Sequence, residues 1–120
     1  MARSRVLINL TRGPEDPDRA TVAFVMANAA ATLEKSTVVL LSTEGVRLGV
    51  PAAIDAIHEG GFLPLRELVN SLLEAGGEIW ACTPCVAKRG LEESLHPAIK
   101  KVGAVAALEF VCEDGVSLSF

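Results

Sequence analysis

Three short runs of the chain, RVLINL (5–10), STVVLLS (36–42) and EIWAC (78–82), are apolar at successive positions rather than at alternate ones. A strand with apolar side chains on both faces belongs in a sheet that is covered on both sides. Between the runs the apolar residues recur at helical spacing. After the loop TRGPEDPD, Asp16-Pro17 reads as an N-cap followed by proline at the first helical position. Val22, Val25, Met26, Ala29, Ala30 and Leu33 then fall three and four apart, which predicts one face of a helix. AAIDAIHEG (52–60) predicts a short helix. Leu65, Leu68, Val69, Leu72 and Leu73 predict a longer one that stops at Gly76-Gly77. A further helix is expected to begin near Cys85. VGAVAALEFVCEDG (102–115) mixes strand and helix signals and does not divide on sequence, and VSLSF (116–120) reads as a last strand. Strands alternating with helices give an α/β fold, a three-layer α/β/α sandwich on a mainly parallel sheet, with residues 1–120 as a single domain.

Composition narrows the function classes. Of the 120 residues 50% are hydrophobic and 22% charged, a globular balance. A net charge of −4 and a pI near 5.1 have the wrong sign for nucleic-acid phosphates, so no nucleic-acid partner is expected. The apolar stretch behind the basic start MARSR is too short for a secretory signal, and no run approaches a membrane span. Three cysteines do not make a disulfide framework. The expectation is a cytoplasmic chain with free thiols and no membrane partner.

In parallel sheets ligands bind beyond the carboxyl ends of the strands. Three loops gather there: Thr11–Asp18, Thr43–Gly49 and the segment from Cys82 to Cys85. Thr11, Arg12, Glu44, Gly45 and Arg89 are therefore candidate cleft residues, and Cys82 and Cys85 the candidate catalytic pair. A thiol at a helix start sees orphan N–H groups that favour the thiolate, the nucleophilic form. Lys88 and Arg89 would add to this if they fold back. Cys112 lacks such a setting and is expected in the core. Structural zinc takes four ligands, and His58, His96 and Cys112 show no ligand spacing with the pair, so no metal and no other cofactor is expected. Both histidines read as surface or loop residues, with His96-Pro97 marking a helix boundary. Neither glycine-rich stretch matches a phosphate loop. Glu44 and Arg47 also read as solvated loop charges.

Cys-Thr-Pro-Cys is similar to the dithiol motif of thioredoxin-like domains, but it follows the third strand here, and its one later proline, Pro97, lies in a helical context. The chain instead resembles the DsrE/DsrF-like superfamily of sulfur-relay proteins. LTRGPEDPDRATVAFVMANAA, VVLLSTEGVRLG and EIWACTPCVAKRGL carry the likeness, in order and over nearly the whole length, and VSLSF fits its ending. The resemblance implies a five-stranded parallel sheet and homo-oligomers, trimers or hexamers, with the cysteine at a subunit cleft. A mean hydropathy of +0.39 is compatible with such an interface. In sulfur-carrying members a cysteine at the end of the third strand precedes the glycine of an Arg-Gly pair by eight residues. Cys82 and Arg89-Gly90 have that spacing, which implies that Cys82 carries a persulfide. Cys85 belongs to a stand-alone Cys-x-x-Cys variety. There a second thiol could resolve the persulfide to a disulfide with release of sulfide. Three functions follow as expectations. The first is a sulfur relay that receives sulfane sulfur from donor proteins or small persulfides and passes it to acceptors, with sulfurtransferase-like activity. The second is a dithiol–disulfide redox or regulatory protein. The third is a non-enzymatic subunit that binds a small ligand.

Overall fold

The computed structural model describes residues 4–120; the basic start of the chain, through Arg3, lies outside the described residues. Five strands, β1 (Arg5–Leu10), β2 (Ser36–Leu41), β3 (Glu78–Cys82), β4 (Lys100–Val102) and β5 (Gly115–Ser119), form one sheet in the order β4-β3-β2-β1-β5. All four pairings are parallel. The helices are α1 (Pro17–Thr32), α2 (Pro51–Asp55), α3 (Leu65–Glu74), α4 (Thr83–Lys88) and α5 (Ala104–Cys112). The expected α/β class, parallel sheet and five strands are all present.

Connection handedness distributes the helices. From β1 to β4 the chain steps steadily toward one edge of the sheet, then returns across it to β5. Right-handed crossovers put the connections of a reversed step on the opposite face. Thus α1 and α3 cover one face, and α5 lies on the other. The pleat sorts the side chains accordingly. Ile8, Leu10, Val39, Leu41, Ile79 and Ala81 join the main core with α1 and α3. Leu7, Asn9, Val38, Leu40, Trp80 and Cys82 point to the α5 side.

Local signals explain most element ends. Asp16 caps α1, accepting from the Arg19 N–H at 3.1 Å with Pro17 next in line. Its bonds to Arg19 hold the Asp16 carboxyl below the usual carboxylate range. Helix α3 buries Leu65, Leu68, Val69 and Leu72 as the spacing predicts and ends before Gly76, whose φ is +90°.

Three sequence expectations differ from the structure. Helix α1 buries Ala20, Thr21, Ala23, Phe24, Ala27 and Ala30, so of the residues expected on its core face only Ala30 is buried, while Met26 and Leu33 are exposed. Small alanines let α1 approach the sheet closely, and Phe24 fills the remaining gap. Helix α4 starts at Thr83, not Cys85, and stops at Lys88; residues 91–99 are turns, so Pro97 is in no helix. Cys112 is exposed at the end of α5 rather than in the core. Helix α5 has no buried residue at all; Val105 is 72% exposed. It is anchored mainly at Phe110, which meets Trp80 edge-on (centroids 5.6 Å apart) and lies under the Arg5 guanidinium.

Candidate functional site

The carboxyl ends of β1, β2 and β3 bring three segments together: the loop from Thr11 to Asp16, a 3-10 helix over Thr43–Gly49, and Cys82 with the start of α4. Two glycines set how closely the first two meet. A Cβ on Gly13 would strike the Glu44 carbonyl oxygen, and one on Gly45 would strike the Leu10 carbonyl oxygen. Gly45, expected to line a cleft, is instead buried where two backbones touch.

Thr43 is the hinge of this arrangement. It has φ +50°, in the left-handed region that a β-branched residue avoids. Its hydroxyl donates to the Thr11 carbonyl at 2.7 Å, while Thr11 donates through its own hydroxyl to the Phe120 carbonyl at 2.7 Å. Thr11 is therefore part of the support for the 3-10 helix, not a cleft wall. With Thr43 so held, its N–H donates to Cys85 Sγ at 3.3 Å. Sequence reasoning placed this loop at the site but did not single out Thr43, because nothing in the residue type announces a positive φ.

An ion-pair cluster lies alongside. Glu44 accepts from Arg47 Nε at 2.6 Å through one oxygen and from Arg89 Nε at 3.0 Å through the other. Arg89 also donates from Nη1 to the Cys85 carbonyl at 3.2 Å, and its side chain is only 12% exposed. Arg89 does fold back, the condition set for it in the sequence, and Glu44 and Arg47 are paired rather than freely solvated. The Arg47 and Arg89 bonds hold the Glu44 carboxyl below its ordinary value of 4.5. Its pairing is therefore kept through neutral pH and lost only as the pH falls through that lowered value. Arg12 is exposed on the first loop, where its charge helps to lower Asp16.

The two thiols, both half-buried and free, face different surroundings. Burial pushes the Cys82 thiol above its ordinary value, reinforced by the S–H it donates to Cys85 and not overcome by the Cys85 N–H or the Arg89 charge. Burial raises Cys85 too, but the Cys82 S–H, the Thr43 N–H and the charges of Arg89 and Lys88 outweigh it, and Cys85 sits below its ordinary value. Helix α4 spans only six residues, so the Cys82 S–H, the Thr43 N–H and the Arg89 charge carry this effect rather than a helix terminus.

Cys82 opens onto a groove of about 430 Å³ walled by Leu40, Pro84, Val102, Ala107 and Leu108, with Asn9 and Ser42 at its polar end. Ser42 Oγ donates to Asn9 Oδ1 at 2.9 Å. None of Thr11, Arg12, Glu44, Gly45 and Arg89 lines this groove; Glu44 and Arg89 pair on the Cys85 side, Thr11 and Gly45 support the 3-10 helix, and Arg12 is exposed on the first loop. The wall the sequence missed is α5, whose segment could not be divided and so could not be placed over the sheet. His58 and His96 lie away from the thiols, with His58 exposed and His96 in a turn whose N–H donates to the Gly49 carbonyl. Among the described residues no three His, Cys, Asp or Glu side chains cluster as a metal site would require, and no helix is long and apolar enough to cross a membrane.

Parallel strands of this order, with two cysteines at the end of β3 facing loops from β1 and β2, define a small α/β protein with a thiol site at its sheet edge. Residues 4–115 match the model of the DsrE/DsrF-like family, and the chain belongs to that family. It is 26% identical over 111 residues to the uncharacterized protein MJ0760 of Methanocaldococcus jannaschii, an alignment covering 92% of this chain and 40% of that protein's length. Its fold is similar to that of the ychN protein of E. coli, with a TM-score of 0.77 at 16% identity over the full length of both chains. Protein BT1422 of Bacteroides thetaiotaomicron, of unknown function, is similar with a TM-score of 0.70 at 15% identity, covering 98% of this chain and 95% of that one. MTH1491 of Methanobacterium thermoautotrophicum, also of unknown function, gives 0.68 at 15%, covering 97% and 98%.

Proposed function

We propose that the chain is a sulfur-relay protein that accepts sulfane sulfur on the Cys82/Cys85 pair and passes it on as a persulfide. The observation that carries this reading is the asymmetry of the pair. One thiol accepts from the Thr43 N–H beside an arginine whose charge favours its thiolate, and its neighbour opens onto a groove where an acceptor can reach it. Membership of the DsrE/DsrF-like family supports it. The donor is a protein or small-molecule persulfide, and the acceptor a thiol that enters the groove. Cyanolysis of reduced protein treated with inorganic polysulfide tests the reading: thiocyanate should form in about one equivalent per chain and fall at least about ten-fold in the Cys82→Ala, Cys85→Ala variant. Equal thiocyanate from both proteins would refute it.

We also propose that copies of the chain associate through the uncovered α5 side of the sheet. Val105, Leu108 and Ala104 stand exposed on α5, and one nine-residue helix faces five strands. Apolar surface of this extent marks an interface more often than a free face. Sedimentation of a monomer at micromolar concentration would contradict it.

A further inference from the structure

We propose that Cys85 is the attacking thiol of the pair, positioned by the Thr43 N–H and by an arginine, Arg89, that Glu44 holds, and that Cys82 takes the sulfur from Cys85 and presents it to the groove. The proposal rests on the sulfur-relay reading and gives it a direction.

Four contacts carry it. The Thr43 N–H reaches Cys85 Sγ at 3.3 Å, and Thr43 keeps a backbone conformation unfavourable to its type in order to aim it. The Arg89 guanidinium is fixed by Glu44 at 3.0 Å and by the Cys85 carbonyl at 3.2 Å. Cys82 donates its S–H toward Cys85 and accepts from the Cys85 N–H, yet burial outweighs that bond and the Arg89 charge. The groove meets Cys82 and not Cys85. A negative sulfur is stabilised at Cys85, while the apolar walls favour a neutral one at Cys82.

In the loading step the Cys85 thiolate attacks the outer sulfur of a persulfide or polysulfide donor. A new S–S bond forms as the donor's S–S bond breaks, and the electron pair leaves with the donor thiolate, with no net oxidation. In the second step the Cys82 sulfur attacks the outer sulfur of the Cys85 persulfide. The Cys85 sulfur departs as a thiolate with the electron pair and the proton that Cys82 gives up passes to solvent, leaving the persulfide on Cys82. A sulfur that is the more stable anion is the better leaving group, so the pair's asymmetry drives sulfur from Cys85 to Cys82. This direction differs from a pair in which Cys85 merely resolves a Cys82 persulfide to a disulfide.

Single-thiol chains test the order. Cys82→Ser and Cys85→Ser are each made with Cys112→Ser, so that the exposed third thiol is silent, and serine keeps a donor at either position. Both are alkylated with iodoacetamide across a pH series. The chain that retains Cys85 is expected to react at least about ten-fold faster at pH 7, with its half-maximal rate below the ordinary thiol value of about 8.5. Arg89→Gln or Glu44→Gln in that chain should move the midpoint upward by more than it moves that of the Cys82-only chain, because Arg89 also bonds the Cys85 carbonyl. A Cys82-only chain that reacts as fast or faster at pH 7 overturns the proposal. A Cys85 midpoint unmoved by both substitutions, in variants with the parent's circular dichroism, overturns the positioning role. Iodoacetamide reads the thiols whether or not sulfur is carried. A protein that alkylates in the expected order yet takes no sulfur from polysulfide therefore refutes the relay reading and the transfer step, and leaves the assignment of the nucleophile standing.

Discussion

Gly45→Ala is expected to lower the stability of the fold by about 3 kcal/mol, at the upper end of what overpacking costs. The added Cβ would meet the Leu10 carbonyl oxygen, a backbone atom at the end of a central strand that cannot swing aside as a side chain could. Relief requires the 3-10 helix to move off β1, and that helix carries both Thr43 and Glu44. The substitution should therefore do two things at once. Urea denaturation should show a lower midpoint with an unchanged slope, and alkylation of Cys85 at neutral pH should slow because its N–H donor and its arginine clamp shift together. A Gly45→Ala protein as stable and as reactive as the parent would mean that the close approach of these two backbones is not required.

Phe24→Ala is expected to cost about 3–5 kcal/mol, whereas Leu33→Ala in the isolated chain should cost less than about 1 kcal/mol. Phe24 is 2% exposed and sits among Ile8, Leu10, Val39 and the α3 leucines in the main core, while Leu33 is 70% exposed at the end of α1. Thermal or urea unfolding of both variants decides which face of α1 the fold uses. A larger loss from Leu33 than from Phe24 would restore the face that helical spacing suggests.

That pair of residues also shows what the sequence discloses and what it conceals. The strands β1, β2 and β3 are legible because they are apolar at consecutive positions, a pattern that few environments other than a covered parallel sheet accept. Helix α3 is legible because its four leucine and valine anchors leave a polar face opposite. Helix α1 is apolar nearly all round, so spacing alone chooses the larger side chains, Val22, Met26 and Leu33, whereas packing against the sheet selects the alanines that allow close approach. Helix α5 offers no polar face and no capping side chain at Gly103, and the fold places it only through the handedness of the return crossover.

The site divides the same way. The two cysteines and the loops facing them could be located from strand ends alone. The partner of Arg89 could not, because Glu44 lies 45 residues earlier in the chain and meets it only across the sheet edge. Thr43 escaped for a different reason: its importance lies in a backbone angle and a main-chain N–H, which no residue letter reports. Of the expected cleft residues Thr11 and Gly45 proved to be supports and Glu44 and Arg89 an ion pair on the Cys85 side, while the groove opens toward α5 on the Cys82 side.

The most direct test of the account is mass spectrometry of the reduced protein after brief exposure to inorganic polysulfide, first intact and then by peptide with the thiols blocked. The account predicts one additional sulfur on the peptide that carries Cys82 and Cys85, removed by dithiothreitol and absent when both are replaced by alanine. A protein that instead loses two hydrogens, with a Cys82–Cys85 bond and no gained sulfur, would contradict the relay and make the pair a redox dithiol.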